Sequence, residues 1–407
     1  MLQAQNGAPF PRLDSSYEWI DDSMKICLVG LDNLPVLVPE YREHAIGGEP
    51  VQQTLLGRAL VRRGHDVSMV VWDYGQADGA RWQAIRVFKA YRRNAGLPVL
   101  SFIHPRWTGM WSALKRADAD LYYISCAGME VGLLALFCRR HRRRFVFRTA
   151  SDTDCDPSRL LVQHARDRWL YEQGLRRADV ILVQSVSQAK ILAQGYGLPS
   201  RVAGMLVERP LSTATRDIDV LWVSNIRHLK RPDRILELAE RLPHVKIHMV
   251  GGSLPGEESL YRDVKHAVAA RTNVVFHDRL SYWDANALYG RARVLVNTSD
   301  VEGLPNSYLQ AWIRGVPVVT LIDPDGVIER ERLGMVASFS DQIPGAVTSL
   351  LNSPSAWKAV SERCLSFMNR EYGDDRVLAP YLEAFEEAKR AGTADAKVIV
   401  SANAHHV

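Results

Sequence analysis

Apolar and polar positions in this chain fall into short runs of two kinds, and the order of the runs says more than any one of them. Apolar runs at 25–29, 66–72, 121–125, 145–149 and 180–184, then at 220–224, 245–250, 274–277, 294–297 and 316–321, have the length and β-branched content of strands buried on both faces. Between them lie segments with helical spacing: one after Gly47-Gly48 that reaches Arg63 and stops at Gly64, then 82–93, 129–140, 157–177, 232–242, 260–270 and 285–290, with 356–370 and 377–390 closing the pattern. Asp156 with Pro157 reads as a cap and first position for the fourth of these helices. Strands alternating with helices predict parallel sheets covered on both sides. The polar stretch Leu211-Ser212-Thr213-Ala214-Thr215-Arg216 is the best linker. The expected division is a flexible leader (1–23), a first α/β domain (24–210), a second (211–373), a closing helix packed back on the first domain (374–390) and a disordered tail (391–407).

Composition narrows the class. At 407 residues with 47% hydrophobic and 24% charged residues, two domains of ordinary size can each bury a core, as in soluble enzymes. No run of eighteen uncharged apolar residues predicts a spanning helix, and the N-terminal stretch lacks the basic and apolar regions of a secretory signal. The five cysteines (Cys27, Cys126, Cys138, Cys155 and Cys364) are widely spaced with no C-x-x-C pair, which argues against a zinc site or a disulfide framework and for a reducing cytoplasmic setting.

The net charge of +5 is modest, but it is unevenly spread. Arg139, Arg140, Arg142, Arg143 and Arg144 surround His141. Arg81, Arg86, Lys89, Arg92 and Arg93 flank an apolar set, Trp82, Ile85, Phe88 and Tyr91, spaced by three. Read as a helix, that segment either packs its aromatic stripe on the sheet or lies on an anionic membrane, which would make the protein peripheral at the inner face. No nucleic-acid recognition motif accompanies the basic runs, so no nucleic-acid partner is expected.

The segment Ser299–Thr320, SDVEGLPNSYLQAWIRGVPVVT, carries the most chemistry. It follows a buried strand with a turn holding one carboxylate, Glu302, beside Gly303, where a backbone can approach a ligand without a Cβ. Pro305 then opens a short helix whose first amides, at Asn306 and Ser307, are free to meet phosphate. Ligands of open α/β sheets sit where such strands end. This segment resembles the donor-site signature of family 4 retaining glycosyltransferases: an acidic residue (Glu302), seven residues, a second acidic residue, then small-x-x-Gly-x-Pro-Val-Val, matched by Ala311, Gly315, Pro317, Val318 and Val319. Gln310 stands where the second acid is usual.

The resemblance implies the GT-B fold, two Rossmann-like domains with parallel sheets facing across a cleft. It also implies transfer of a sugar from a nucleoside-diphosphate sugar, UDP- or GDP-linked, with no metal or other cofactor. Departure of a diphosphate needs fixed cations; the loop after 220–224 supplies Lys230, in the family's phosphate-clasping position, and Arg227 as the nearest further cation, while Ser224-Asn225 replaces the usual Gly-Arg. By the same resemblance Gly251-Gly252 forms the turn beneath the nucleotide, with Gly303 and Leu304 beside it. Gln310 meets the ribose hydroxyls, and Glu302 contacts the transferred sugar. On the acceptor side Gly47-Gly48 faces the phosphates. Ser151 or Asp152 approaches the reacting sugar, since the histidine often found after that strand is absent. Asp152-x-Asp154 reads as a turn rather than a metal pair.

Three alternatives stay open from sequence: a catalytically silent protein of this fold acting as scaffold, a nucleotide-sugar epimerase, and a transferase whose hydroxyl acceptor is a lipid-linked, polysaccharide or small-molecule glycoside. A dinucleotide-dependent dehydrogenase is disfavoured, because no G-x-G-x-x-G follows the first strand.

Overall fold

The computed structural model describes residues 23–41, 47–93, 95, 102–210 and 214–404. The leader, apart from its last residue, and the linker residues Leu211, Ser212 and Thr213 lie outside them. Two sheets organise the chain. The first runs β3-β4-β2-β1-β5-β6-β7-β8 and is parallel except for β3 against β4. Its strands are β1 (Lys25–Val29), β2 (Asp66–Val71), β3 (Arg81–Trp82), β4 (Ile85–Lys89), β5 (Leu121–Ser125), β6 (Arg144–Arg148), β7 (Val180–Val183) and β8 (Arg201–Val202). The second is wholly parallel in the order β11-β10-β9-β12-β13-β14. It comprises β9 (Ile218–Val223), β10 (Ile247–Val250), β11 (Val274–Phe276), β12 (Ala292–Asn297), β13 (Val318–Thr320) and β14 (Gly334–Val336).

Continuous apolar runs become central strands because both faces are covered. Along β1, Ile26 and Leu28 enter one core while Cys27 and Val29 enter the other, and Leu121 and Tyr123 of β5 split from Tyr122 and Ile124 in the same way. The core beneath Ile26 and Leu28 is completed from the far end of the chain, by Val377, Leu378, Tyr381, Ala384, Phe385 and Ala388. The second domain has its own core. Strand order reverses at β1/β5 in the first sheet and at β9/β12 in the second. A crevice opens at such a reversal, because the connecting segments leave in opposite directions.

Three expectations are corrected. The basic helix at 82–93 does not exist: its residues form β3, a turn at Gln83 and Ala84 with positive φ (51° and 65°), and β4. The apolar spacing of three is coincidental. Ile85 and Val87 are buried and Arg86 exposed, the alternation of a strand, and β2 offers an edge on which Ser68 to Val71 register with Arg86 to Lys89. The helical membrane-lying surface is lost with it; Lys89 and Arg92 instead flank Asp73, and Arg93 nears Asp32. The long helix at 157–177 is shorter, Ala165–Leu175, preceded by one turn at Asp152–Cys155. Asp156 accepts hydrogen bonds from the Ser158 amide (2.8 Å) and hydroxyl (2.7 Å), and this local turn outcompetes helix initiation. Finally, the last helix, Asp374–Ala404, runs on into the segment expected to be a disordered tail, where five alanines within 391–404 favour helix and no proline follows Pro380. Among the described residues no helix is long and apolar enough to cross a membrane.

One device of the second sheet is testable by pH. His248 on β10 is buried and lies 2.9 Å, ring nitrogen to ring nitrogen, from His277. Burial first, then His277 and the nearby Lys246 and Arg291, hold His248 down to about 4, with Asp217 opposing. A histidine depressed on folding contributes stability that is complete above its unfolded value of 6.5 and is lost as pH falls towards 4. Urea midpoints should therefore fall between those pH values in the native chain and fall less in His248→Gln.

Candidate functional site

The C-terminal ends of the two sheets face each other across a cleft of about 820 Å³. Its second-domain wall is built at the β9/β12 reversal. After β9 the chain turns through Ser224 to Arg227 into a single helical turn, His228–Lys230, with Arg231 left-handed at φ 48°. That turn is stapled to the loop after β12: the Asp300 amide donates to Leu229 O (3.0 Å), and the Thr298 hydroxyl donates to Lys230 O (2.8 Å) while accepting from Trp222 Nε1 (2.9 Å). Arg234 reinforces the staple through Thr298 O (2.9 Å) and Asp300 (2.7 Å). These contacts fix where the functional side chains emerge.

Lys230 Nζ forms an ion pair with Glu302 Oε1 inside the cleft. The same oxygen accepts from Ser299 Oγ at 2.7 Å and Asn297 Nδ2 at 3.4 Å, and Asn297 Oδ1 in turn takes the Ser299 amide at 2.9 Å. Glu302 is therefore a presented carboxylate with its charge balanced by one cation. Arg227 is exposed on the same wall. Gly251 is required by backbone approach, since a Cβ there would lie 2.1 Å from Ser224 O. A Cβ at Gly303 would meet no atom within 4 Å, so the protein's own packing does not call for glycine there and its bareness leaves room in the cleft.

Gln310 is buried at the cleft wall. Its Oε1 accepts from Arg314 Nη1 at 2.7 Å, and its Nε2 donates to the Tyr282 hydroxyl at 3.3 Å. One N–H and one lone pair stay available. A carboxylate here would pair directly with Arg314, so the amide keeps this corner less committed. The helix holding Gln310, Asn306–Trp312, has only seven residues and so little macrodipole; its first two residues, Asn306 and Ser307, line the cleft.

Across the cleft, Gly47 and Gly48 enter the helix Gly48–Arg62. Glu49 follows, and its carboxylate turns inward to accept from Ser125 Oγ, with Arg148 Nη1 at 3.5 Å from its other oxygen. Gln53 extends the polar string, donating to Ser125 (2.6 Å) and accepting from Asn33 (2.9 Å). Burial pushes the Glu49 carboxyl upward, against the pull of Arg148 and the Ser125 hydrogen bond. Ser151 and Asp152 line the cleft, but both are occupied: Ser151 Oγ lies 3.1 Å from Asp154, and Asp152 accepts from Gln188 Nε2 at 3.1 Å. Asp154 turns into the protein, where it takes the Ala150 amide at 2.8 Å.

Every residue expected from sequence to meet donor or acceptor lines this one cleft: Lys230, Arg227 and Glu302, then Gly251, Gly252, Gly303, Leu304, Asn306, Ser307 and Gln310, and opposite them Gly47, Gly48, Ser151 and Asp152. Sequence reading did not find Arg148, Tyr282, Arg279 or Gln52. Arg148 had a visible signal, a charge closing the apolar run Phe145-Val146-Phe147, which a buried strand tolerates only when the charge is paired.

Residues 47–205 match the family model described as glycosyl transferase 4-like domain, and residues 217–353 match the glycosyl transferases group 1 model. Together they cover most of the chain and divide it at the linker. No curated protein matches. Among solved structures, HepE from Anabaena in complex with UDP-glucose is similar, with TM-score 0.68 and 14% identity over 90% of this chain and 100% of that one. Sucrose-phosphate synthase from Thermosynechococcus elongatus aligns with TM-score 0.64 and 16% identity over 92% and 99%. The catalytic domain of starch synthase IV from Arabidopsis thaliana, bound to ADP and acarbose, gives 0.64 and 12% over 92% and 100%.

Proposed function

The chain belongs to the family 4-like GT-B glycosyltransferases, and on that premise we propose that it moves a hexose from a nucleoside-diphosphate sugar to a hydroxyl acceptor with retention of anomeric configuration and without a metal. The observation that carries this reading is the Lys230–Glu302 pair, held at the reversal of the second sheet and facing Gly47-Gly48 across the cleft. A donor diphosphate would take Lys230 and Arg227 as counter-charges, and hydroxyls of its sugar would take Glu302 in place of Lys230. The bond from the anomeric carbon to the phosphate oxygen breaks while a bond to the acceptor oxygen forms on the same face. The acceptor proton passes to the departing phosphate, so no separate protein base is needed. Fixed cations stabilise that departing charge, the largest demand of the reaction. Gln310 offers its remaining N–H and lone pair to the ribose.

HepE bound to UDP-glucose favours a UDP donor, whereas the starch synthase bound to ADP keeps the base an experimental question. Hydroxyls of lipid-linked, polysaccharide or small-molecule glycosides are the acceptor class. The free cysteines are compatible with a cytoplasmic location.

Calorimetric titration with UDP, GDP and ADP tests the donor site. One nucleotide should bind with a Kd near micromolar, about −8 kcal/mol, and the anomeric configuration of the product, read by NMR, should match that of the donor. Absence of binding by all three would support a silent scaffold, and product formed without acceptor would support an epimerase.

A further inference from the structure

Asn306 stands at the cleft wall of the second domain, but its side chain crosses to the first. Its Oδ1 accepts from Gln52 Nε2 at 2.6 Å, and its Nδ2 donates to Gly48 O at 3.1 Å, so both halves of the amide are engaged on the opposite domain. Gln52 is buried with both its N–H groups used: its Oε1 accepts from the Leu206 amide at 2.7 Å, and its Nε2 also donates to Leu206 O at 2.9 Å. Leu206 belongs to the segment leaving the first domain. A Cβ on Gly48 would lie 2.6 Å from Asn306 Nδ2, so the bare backbone at Gly48 is what permits this approach. One helix, Gly48–Arg62, thus holds the linker and the far domain through adjacent hydrogen bonds.

The same helix touches the second domain again at Arg58. Its guanidinium lies 4.5 Å from the ring centre of Trp283 and 3.4 Å from Glu208 in the exit segment. Gln52 and Arg58 are six positions apart, about 9 Å along a helix. The Arg58 contact sits by the linker and suits a pivot; the Asn306 contact sits at the cleft and suits a latch.

We propose that Asn306 is a positioning residue, whose amide clasp with Gln52 and Gly48 holds the two domains closed and sets their spacing before any donor is bound. Its effect on transfer then runs through domain spacing, not through contact of its side chain with the nucleotide. The spacing test does not require the transferase reading; only the consequence for turnover rests on it. Two neutral hydrogen bonds of ordinary strength are worth about tenfold or more in a closed-to-open ratio.

The experiment is small-angle scattering of the nucleotide-free full chain, native against Asn306→Ala and Gly48→Ala, with UDP titration of the same samples and thermal melts to certify folding. Both variants should show a larger radius of gyration than the native protein. UDP affinity of Asn306→Ala should stay within about threefold while its kcat/KM falls about tenfold. Unchanged scattering in both variants would overturn the clasp, as would native spacing in Asn306→Ala accompanied by a large loss of UDP affinity, which would make Asn306 a nucleotide ligand. Altered spacing with no nucleotide binding by the native chain would uphold the clasp while the proposed function failed.

Discussion

Replacing Lys230 with alanine is expected to lower kcat/KM by about a hundredfold to a thousandfold, the range for deleting one preorganised group that meets developing charge. Two losses combine. The departing diphosphate loses its counter-charge, and the Glu302 carboxylate is left in the cleft without its cation, where it repels the incoming phosphates. The backbone is spared, because the contact holding this turn uses the carbonyl of Lys230 and not its amine. Melting temperature should therefore move little while activity collapses. Glu302→Gln separates the two losses: it retains the cation, removes the repulsion and should cost less in nucleotide affinity than in turnover. Steady-state kinetics with varied donor, beside melts of each variant, read both. A fall of less than tenfold in Lys230→Ala would remove the lysine from the role assigned to it.

The second large effect is on stability. Arg148 is fully buried, its guanidinium 5.8 Å from the ring centre of Tyr381 on the last helix, and its nearest opposite charge is Glu49. Removing one partner of a buried pair leaves the other uncompensated, at about 3–5 kcal/mol, a large share of the roughly 5–15 kcal/mol that holds a domain folded. Arg148→Met should destabilise the first domain by about that amount near neutral pH. The sign of the pH dependence is fixed by Glu49. Its folded carboxyl titrates above the ordinary 4.5, so its contribution is complete below that pH and is lost as pH rises through the folded value. The defect should shrink as pH is lowered towards 4.5, and Glu49→Gln in the same chain should recover most of it. Urea unfolding of the two single variants and the double variant at several pH values measures this. A double variant as unstable as Arg148→Met would show that the two residues do not interact.

How much could be read beforehand depended on the range of the interactions involved. β5 was legible to the residue, since four consecutive aliphatic and aromatic side chains between Asp120 and Ser125 admit little else in a strand of a covered sheet. The turn around Glu302 was legible because its residue types are demanded locally. The 82–93 segment misled because aromatic and aliphatic residues three apart satisfy helical spacing, while the edge of β2 that captures Ile85–Lys89 is invisible in a local window. Gln310 could be placed on the cleft wall, but not its engagement by Arg314 and Tyr282. Asn306 was harder still: its partners Gln52 and Gly48 lie 254 and 258 positions away. Contacts of that separation are set by how two finished domains meet, which no local pattern encodes.

The last helix completes the core of the first domain although it follows the whole of the second. The polypeptide therefore passes between the domains twice, once near residue 211 and again near residue 373. A body tied at two points behaves like a door on two pins, not like a weight on a string: it swings about the line joining them, and twisting about either one alone is resisted. A single proteolytic nick in the first crossing would leave both lobes attached. A gene fragment ending with the second sheet would encode a first lobe with one wall missing, so the far carboxyl end governs the solubility of the amino-terminal half.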